Sequence, residues 1–286
     1  MTESDWTRLL QRPEPAADGV ACEAWFNRIA ARLLHGCRLM VNGQPHRLVE
    51  VEFYYHGDGH LDPFTHRDPL QRACGRWYFH RTRGTYRGGS FKGLDLTFGA
   101  GEANGGVLLR GLETPDGRLV DGPSLLVDHL LAATSNPGVA ALDETIATRQ
   151  VWSTTSPLHL ISVDSATKPS LYRSARVGLS LKKAAAEDDM PHYILRPYRY
   201  LSEPRRTAKG KLLLVLALHV QGLDPAAIQQ LTGCPRASIQ RYLTDYETGR
   251  QLADFAGYRG CDLSPADLCR LHGTWHARFG SNAAIV

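Results

Sequence analysis

The chain has 286 residues, 43% of them hydrophobic and 22% charged, enough for one large core or a core with a small satellite domain, and nothing in the composition is fibrous or disordered. A formal net charge of +4 and a pI near 8.7 suit a polyanionic partner without requiring one. Six cysteines with no C-x-x-C pair, no basic-then-apolar leader and no apolar run near the roughly 18 residues of a membrane span speak against a disulfide scaffold and a transmembrane chain, so the expectation is an intracellular protein, cytoplasmic and nucleoid-associated in a prokaryote.

Residues 1–17, with Pro13, Pro15 and several acids, predict a loosely held tail. From Gly19 to Leu34 the apolar Trp25, Phe26, Ile29, Leu33 and Leu34 recur at helical spacing, and Gly36 makes a stop. Residues 38–41, the pair Asn42-Gly43 and residues 44–51 read as strand, turn and strand, because Asn-Gly is the strongest short-range hairpin signal. Along 48–54 the two-residue period of a strand places Glu50, Glu52 and Tyr54 on one face and Val49, Val51 and Phe53 on the other. A loop carrying His56, Asp58, His60 and Asp62 leads to His66.

Between His66 and Lys92 seven cations (Arg67, Arg72, Arg76, Arg81, Arg83, Arg87 and Lys92) stand against the single acid Asp68, with Trp77, Tyr78, Phe79, Tyr86 and Phe91 interleaved. Cations for phosphates beside flat rings for stacking suit an unpaired or extruded nucleotide; a solvated amphipathic hairpin with its aromatics in the core fits the same pattern. A loop of small residues at 100–106 precedes a strand at 107–112, a turn at Pro115-Asp116-Gly117, and Gly122-Pro123-Ser124 before a helix at 125–133. Two strand-like stretches follow at 174–179 and 193–196, joined by the acidic Glu187-Asp188-Asp189.

The pattern turns wholly helical beyond the basic linker 204–211, which contains Arg205 and Arg206. After an apolar helix at 212–220, Pro225 and Pro235 suit the first turns of two more helices, with Thr232-Gly233-Cys234 as the tight connection. Ile228, Leu231, Ile239 and Leu243 hold that pair together, leaving Arg236, Ser238, Gln240 and Arg241 to face outward, as in a helix-turn-helix whose recognition helix spans 235–243. Cys261, Cys269, His272 and His276 lack the tight paired spacing of structural zinc sites, so no metal is expected. No cofactor and no obligate protein partner is expected either.

Several short motifs in order carry a resemblance. The series 31–36, Leu39, Gly43 and Val49-Glu50-Val51-Glu52-Phe53-Tyr54 resembles the opening of the alkyladenine (3-methyladenine) DNA glycosylase family, in which a helix and hairpin lead into an E-x-E-x-Y strand. His66 is similar to the histidine beyond that strand, and Val107-Leu108-Leu109-Arg110-Gly111-Leu112-Glu113 to the family's V-L-L-R-x-L-E. The motifs at 122–126 and 175–178 and the 191–200 region recur in the same order, so the resemblance covers about residues 20–203. It implies an α+β domain (18–203) with a curved antiparallel sheet surrounded by helices, to which a small all-α, helix-turn-helix-like domain (204–286) is appended.

The resemblance further implies a pocket for a base flipped out of double-stranded DNA, since chemistry on a stacked base is sterically impossible. Glu52 is then the carboxylate that activates water, Arg110 the cation beside it, and Tyr54 and His66 the walls that stack on the base. No lysine matches a Schiff-base nucleophile, so base release without strand scission is expected. Arg76, Arg83, Tyr86, Arg87, Arg205, Arg206, Arg236 and Arg241 are the candidate DNA contacts. Three departures bear on specificity. Asp95 stands where the family has a pocket asparagine, and an ionised carboxylate accepts from an exocyclic amino group such as cytosine's; the family's intercalating tyrosine falls near Gly88; and the loop after Tyr54 is long. Substrates left open are alkylated purines, in repair, and bulky modified bases of viral DNA, in defence. The alternatives are a non-catalytic DNA-binding regulator on the same fold and a small-molecule enzyme reusing the pocket.

Overall fold

In the computed structural model, which describes residues 3–13, 19–57, 59–164, 170–185, 188–252 and 254–280, the chain reverses at Asn42 and Gly43 with φ of 47° and 80°. Two successive positive φ values match the right-handed twist of the flanking strands, so β1 (Cys37–Val41) folds directly onto β2 (Gln44–Gly57). Further strands are β3 (His60–Leu61), β4 (Cys74–Phe79), β5 (Arg81–Thr82), β6 (Thr85–Tyr86), β7 (Leu94–Phe98), β8 (Asn104–Glu113), β9 (Leu119–Asp121) and β10 (Leu158–Ser162). A large antiparallel sheet runs in the order β10-β1-β2-β8-β7-β4, with β3 paired to β2 and β9 to β8. With nine α-helices among the described residues, the protein is α+β. None of those helices is long and apolar enough to cross a membrane.

By residue contacts the chain divides into two units, Met1–Leu61 with Thr65–Leu171 and Tyr200–Ser202, and Asp62–Phe64 with Tyr172–Arg199 and Glu203–Val286. In the first, α1 (Glu3–Leu10) and α2 (Gly19–His35) precede the sheet, and α3 (Pro123–Ala133) and α4 (Val139–Ile146) follow β9. Phe26 of α2 stacks on Phe53 with centroids 4.7 Å apart, and Trp25 meets Tyr55 and Phe98 edge-on, so the odd-numbered face of β2 is the one α2 covers. Residues 3–10, expected to be a loose tail, are helical instead, because Trp6 and Leu10 are fully buried and Trp6 stacks on Trp152 at 6.3 Å. Residues 14–17 of that tail, Asp58 and Glu187 lie outside the described residues.

The second unit holds β11 (Tyr172–Ser174), α5 (Met190–Tyr193), α6 (Lys211–Val220), α7 (Pro225–Thr232), α8 (Arg236–Arg250) and α9 (Pro265–Phe279); β12 (Arg199–Leu201) spans the division in the chain. Its core joins Leu181, Ile194, Leu195, Leu213, Tyr258, Leu271 and Trp275. Gly249 and Gly273 bring α8 and α9 into backbone contact: a Cβ on either would stand about 2 Å from a carbonyl of the other helix. Arg176 pairs with Asp62, both fully buried, beneath the rings of Phe64 and Tyr198. Two expectations are corrected here. Residues 193–196 are not a strand, since Pro191 opens a helical turn that the Ile194 amide closes on Met190, and of 174–179 only Ser174 is in a strand. Short apolar runs do not distinguish the two periods.

Candidate active site

The register of four strands builds the site. Glu52 of β2 lies opposite Leu108 of β8, Leu108 opposite Asp95 of β7, and Asp95 opposite Tyr78 of β4. Opposed residues of antiparallel strands project to the same side, so these four form a row on the face away from α2, with Glu52 and Asp95 about 10 Å apart across two strand spacings.

At one end, Glu52 is fully buried, and its Oε2 accepts from the Tyr54 hydroxyl at 2.9 Å and from Arg110 Nη1 at 3.4 Å. Arg110 Nε donates to Glu50 at 2.7 Å and lies 3.3 Å from Glu52 Oε1. The β2–β8 register skips from Gly111 to Leu109, leaving Arg110 as the extra residue of a bulge, the device by which a strand re-aims one side chain. Burial opposes the Arg110 charge, but Glu52 and Glu50 outweigh it and hold the guanidinium above its ordinary pKa. Tyr54 is half-buried, and its hydroxyl caps the carboxylate.

At the other end, Asp95 accepts from Gln71 Nε2 at 3.0 Å and lies 2.7 Å from His80 Nε2. His66 packs edge-on to His80, with ring centroids 4.3 Å apart, and its Nδ1 is 3.4 Å from the Tyr78 hydroxyl. Burial, then the neighbouring His80, push His66 down to about 4, so at neutral pH it is an uncharged ring. Burial, then Asp68 and Asp95, raise Tyr78. Gly106, opposite Tyr54, keeps the floor open: a Cβ there would stand 2.5 Å from Asp95 Oδ2 and 2.8 Å from Gln71 Nε2. The row is thus polar at both ends, with Leu108 and Gly106 between. A separate cavity of about 890 Å³, lined by Leu10, Trp25, Tyr55 and Phe98, lies on the α2 side of the sheet.

The expected residues Glu52, Tyr54, Arg110, His66 and Asp95 therefore share one face. The expected DNA contacts are more scattered. Arg76 donates to the Thr148 carbonyl; Arg83 is exposed at the tip of the β5–β6 turn with φ 52°. Tyr86 and Arg81 both donate to Asp143, at 2.7 and 2.6 Å, and Arg87 donates to Thr82 at 3.0 Å. Gln71 and His80 escaped the sequence reading, although His80 shares the strand period of Tyr78. Phe91, one of the rings interleaved with the cations in the sequence, is 73% exposed in a one-turn 3-10 helix whose Gly89 carbonyl accepts from Ser124 at 2.8 Å. In the carboxy-terminal unit Arg205, Arg206, Arg236 and Arg241 are exposed, Cys269 and His272 are buried and Cys261 is exposed. Among the described residues no group of three or more His, Cys, Asp or Glu is placed to hold a metal ion.

No family model matches the chain. It is 31% identical over 209 residues to the uncharacterized protein L759 of Acanthamoeba polyphaga mimivirus, a match that spans 67% of this chain and 92% of the viral one. The chain belongs to the same protein family as that viral protein.

Proposed function

We propose that the chain is a monofunctional DNA N-glycosylase that takes a modified base out of the duplex and hydrolyses its bond to deoxyribose. The observation that carries this reading is Glu52: a buried carboxylate on a rigid strand, flanked by a fixed guanidinium and capped by a half-buried phenol. For reaction Tyr54 swings off Oε2 and stacks on the base, opening the carboxylate to a water. Glu52 takes the proton of that water as its oxygen bonds to C1′; the C1′–N electron pair leaves with the base, which takes a proton from solvent while Glu52 returns its own to solvent. Arg110 stays charged and orients Glu52. His66, uncharged, and Tyr78 form the far wall, and Gln71, Asp95 and His80 meet the polar edge of the base. Because Asp95 already accepts from Gln71, and His80 lies beside its other oxygen, base recognition runs through this trio rather than through Asp95 alone. Phe91, exposed in a turn whose Gly89 carbonyl is bound by Ser124, is the apolar side chain suited to fill the gap left in the stack. The fold would then be the glycosylase-like sheet domain that the motifs resemble.

The test is a panel of duplexes, one set carrying alkylated purines and the other bulky modified bases of the viral kind, assayed for abasic sites. Wild type is expected to act on one set, assigning it to repair or to defence. Glu52→Gln should still bind that duplex while releasing base about 10²–10⁴-fold more slowly. Release at the wild-type rate by Glu52→Gln, or none by wild type, overturns the reading.

One observation favours a second reading, a non-catalytic DNA-binding regulator: in this structure Glu52 has no exposure and is engaged by both Tyr54 and Arg110. A regulator whose Glu52 serves only that ion pair would show no base release, and Glu52→Gln would change stability but not DNA-dependent output.

A further inference from the structure

Residues 203–211 carry Arg205, Arg206, Lys209 and Lys211 against the single acid Glu203, and the segment is tied down. Lys211 Nζ donates to the carbonyls of Pro204 at 2.7 Å, Arg205 at 3.1 Å and Thr232 at 2.8 Å, fastening the linker to the end of α7. Arg205 donates to the Gln230 carbonyl at 3.3 Å, and its Cγ would lie 3.5 Å from a Cβ on Gly233, the residue that turns the chain from α7 toward α8 with φ 67°. Linker and turn are therefore one surface. Past the turn, Ile239, Leu243 and Tyr246 are buried, whereas Arg236, Ala237, Gln240, Arg241 and Thr244 are exposed. From 204 to 244 the only acid is Asp224, whose carboxylate is occupied in capping α7 through the Ala226 and Ala227 amides.

We propose that this surface grips duplex DNA, with α8 in the major groove, Gln240 on base edges, and Arg205, Arg206, Arg236 and Arg241 on the flanking phosphates. Lys211 is a brace, its ammonium committed to three carbonyls. The exposed row of α8 from Arg236 to Thr244 holds no apolar side chain larger than Ala237, which argues against a protein partner, whose interface needs aromatic or aliphatic anchors. A major groove about 12 Å wide admits a helix, and the narrow one of RNA does not. This proposal concerns the helical unit and stands independently of base excision.

The experiment uses the full chain, in a Glu52→Gln background so that catalysis plays no part, and a duplex of ordinary bases, with binding read by fluorescence anisotropy across a salt series. Removing two phosphate contacts with the pair Arg236→Gln and Arg241→Gln should weaken binding and flatten the slope of log affinity against log salt by about 2. Both side chains are exposed, so the melting temperature should not move. Selection from random duplexes should return a preferred sequence, and Gln240→Ala should relax it at one position while keeping the salt slope. A folded double-arginine variant with unchanged affinity and slope overturns the proposal. So does a preference for RNA, or a selection that yields no preferred sequence.

Discussion

Replacing Arg110 with leucine tests the centre of the site through stability. The guanidinium is 4% exposed and stands 2.7 Å from Glu50 and 3.3 Å from Glu52, themselves 1% and 0% exposed. Removing one partner of a buried ion pair costs about 3–5 kcal/mol, because the charge left behind has been desolvated and has lost the field that compensated it. Two carboxylates lose the same cation here, which places the expectation at the upper end. At about 2–4 °C per kcal/mol for a domain of this size, a loss near 5 kcal/mol should lower the melting temperature by about 10–20 °C. Urea unfolding followed by tryptophan fluorescence at pH 7 measures the deficit, and adding Glu50→Gln and Glu52→Gln to Arg110→Leu should recover most of it. A loss under about 1 kcal/mol would refute the view that this cation holds two buried carboxylates.

Three further outcomes are expected. Burial, then the neighbouring His276, hold His272 at about 4 against its ordinary 6.5. The unfolded chain takes up a proton below about 6.5 that the folded chain refuses until about 4, so the helical unit keeps this stability above 6.5 and loses up to about 3 kcal/mol on the way down. Amide exchange in α9 at pH 7 and 4.5 reads the loss; equal protection at both contradicts it. Gly106→Ala drives a methyl into the Asp95–Gln71 contact and should cost about 1–3 kcal/mol by overpacking, visible as a lower denaturant midpoint. Phe91→Ala should leave stability within about 0.5 kcal/mol, the side chain being 73% exposed, yet slow the proposed base release from duplex far more than from single strands. Equal slowing on both would remove Phe91 from base extrusion.

Periodicity alone carried much of the sheet. The Asn42-Gly43 pair sets the β1–β2 hairpin, and the two-residue alternation along 51–54 puts Glu52 and Tyr54 opposite Val51 and Phe53, although the register against β8 shifts between Leu48 and Val51 and both faces of β2 are buried there. Helix α8 was legible from Pro235 and its apolar spacing, though it continues to Arg250, beyond the expected end at 243, because it packs along α9 through Gly249. Residues 3–10 and 193–196 depart from the expectation, the first because a distant ring, Trp152, completes the surface that Trp6 needs, the second because the short run Tyr193-Ile194-Leu195 carries no distinguishable period.

What the amino-acid order determined by itself was local: which residues share a strand face and where the chain can turn. Only the tertiary structure decided that Asp95 meets Gln71 and His80, that Arg110 is the extra residue of a bulge aimed between Glu50 and Glu52, and that Phe91 is exposed while Trp77, Tyr78 and Phe79 are buried. The physical reason is that register across a sheet is set by contacts between residues tens of positions apart, through core packing and hydrogen bonds that no window of sequence contains.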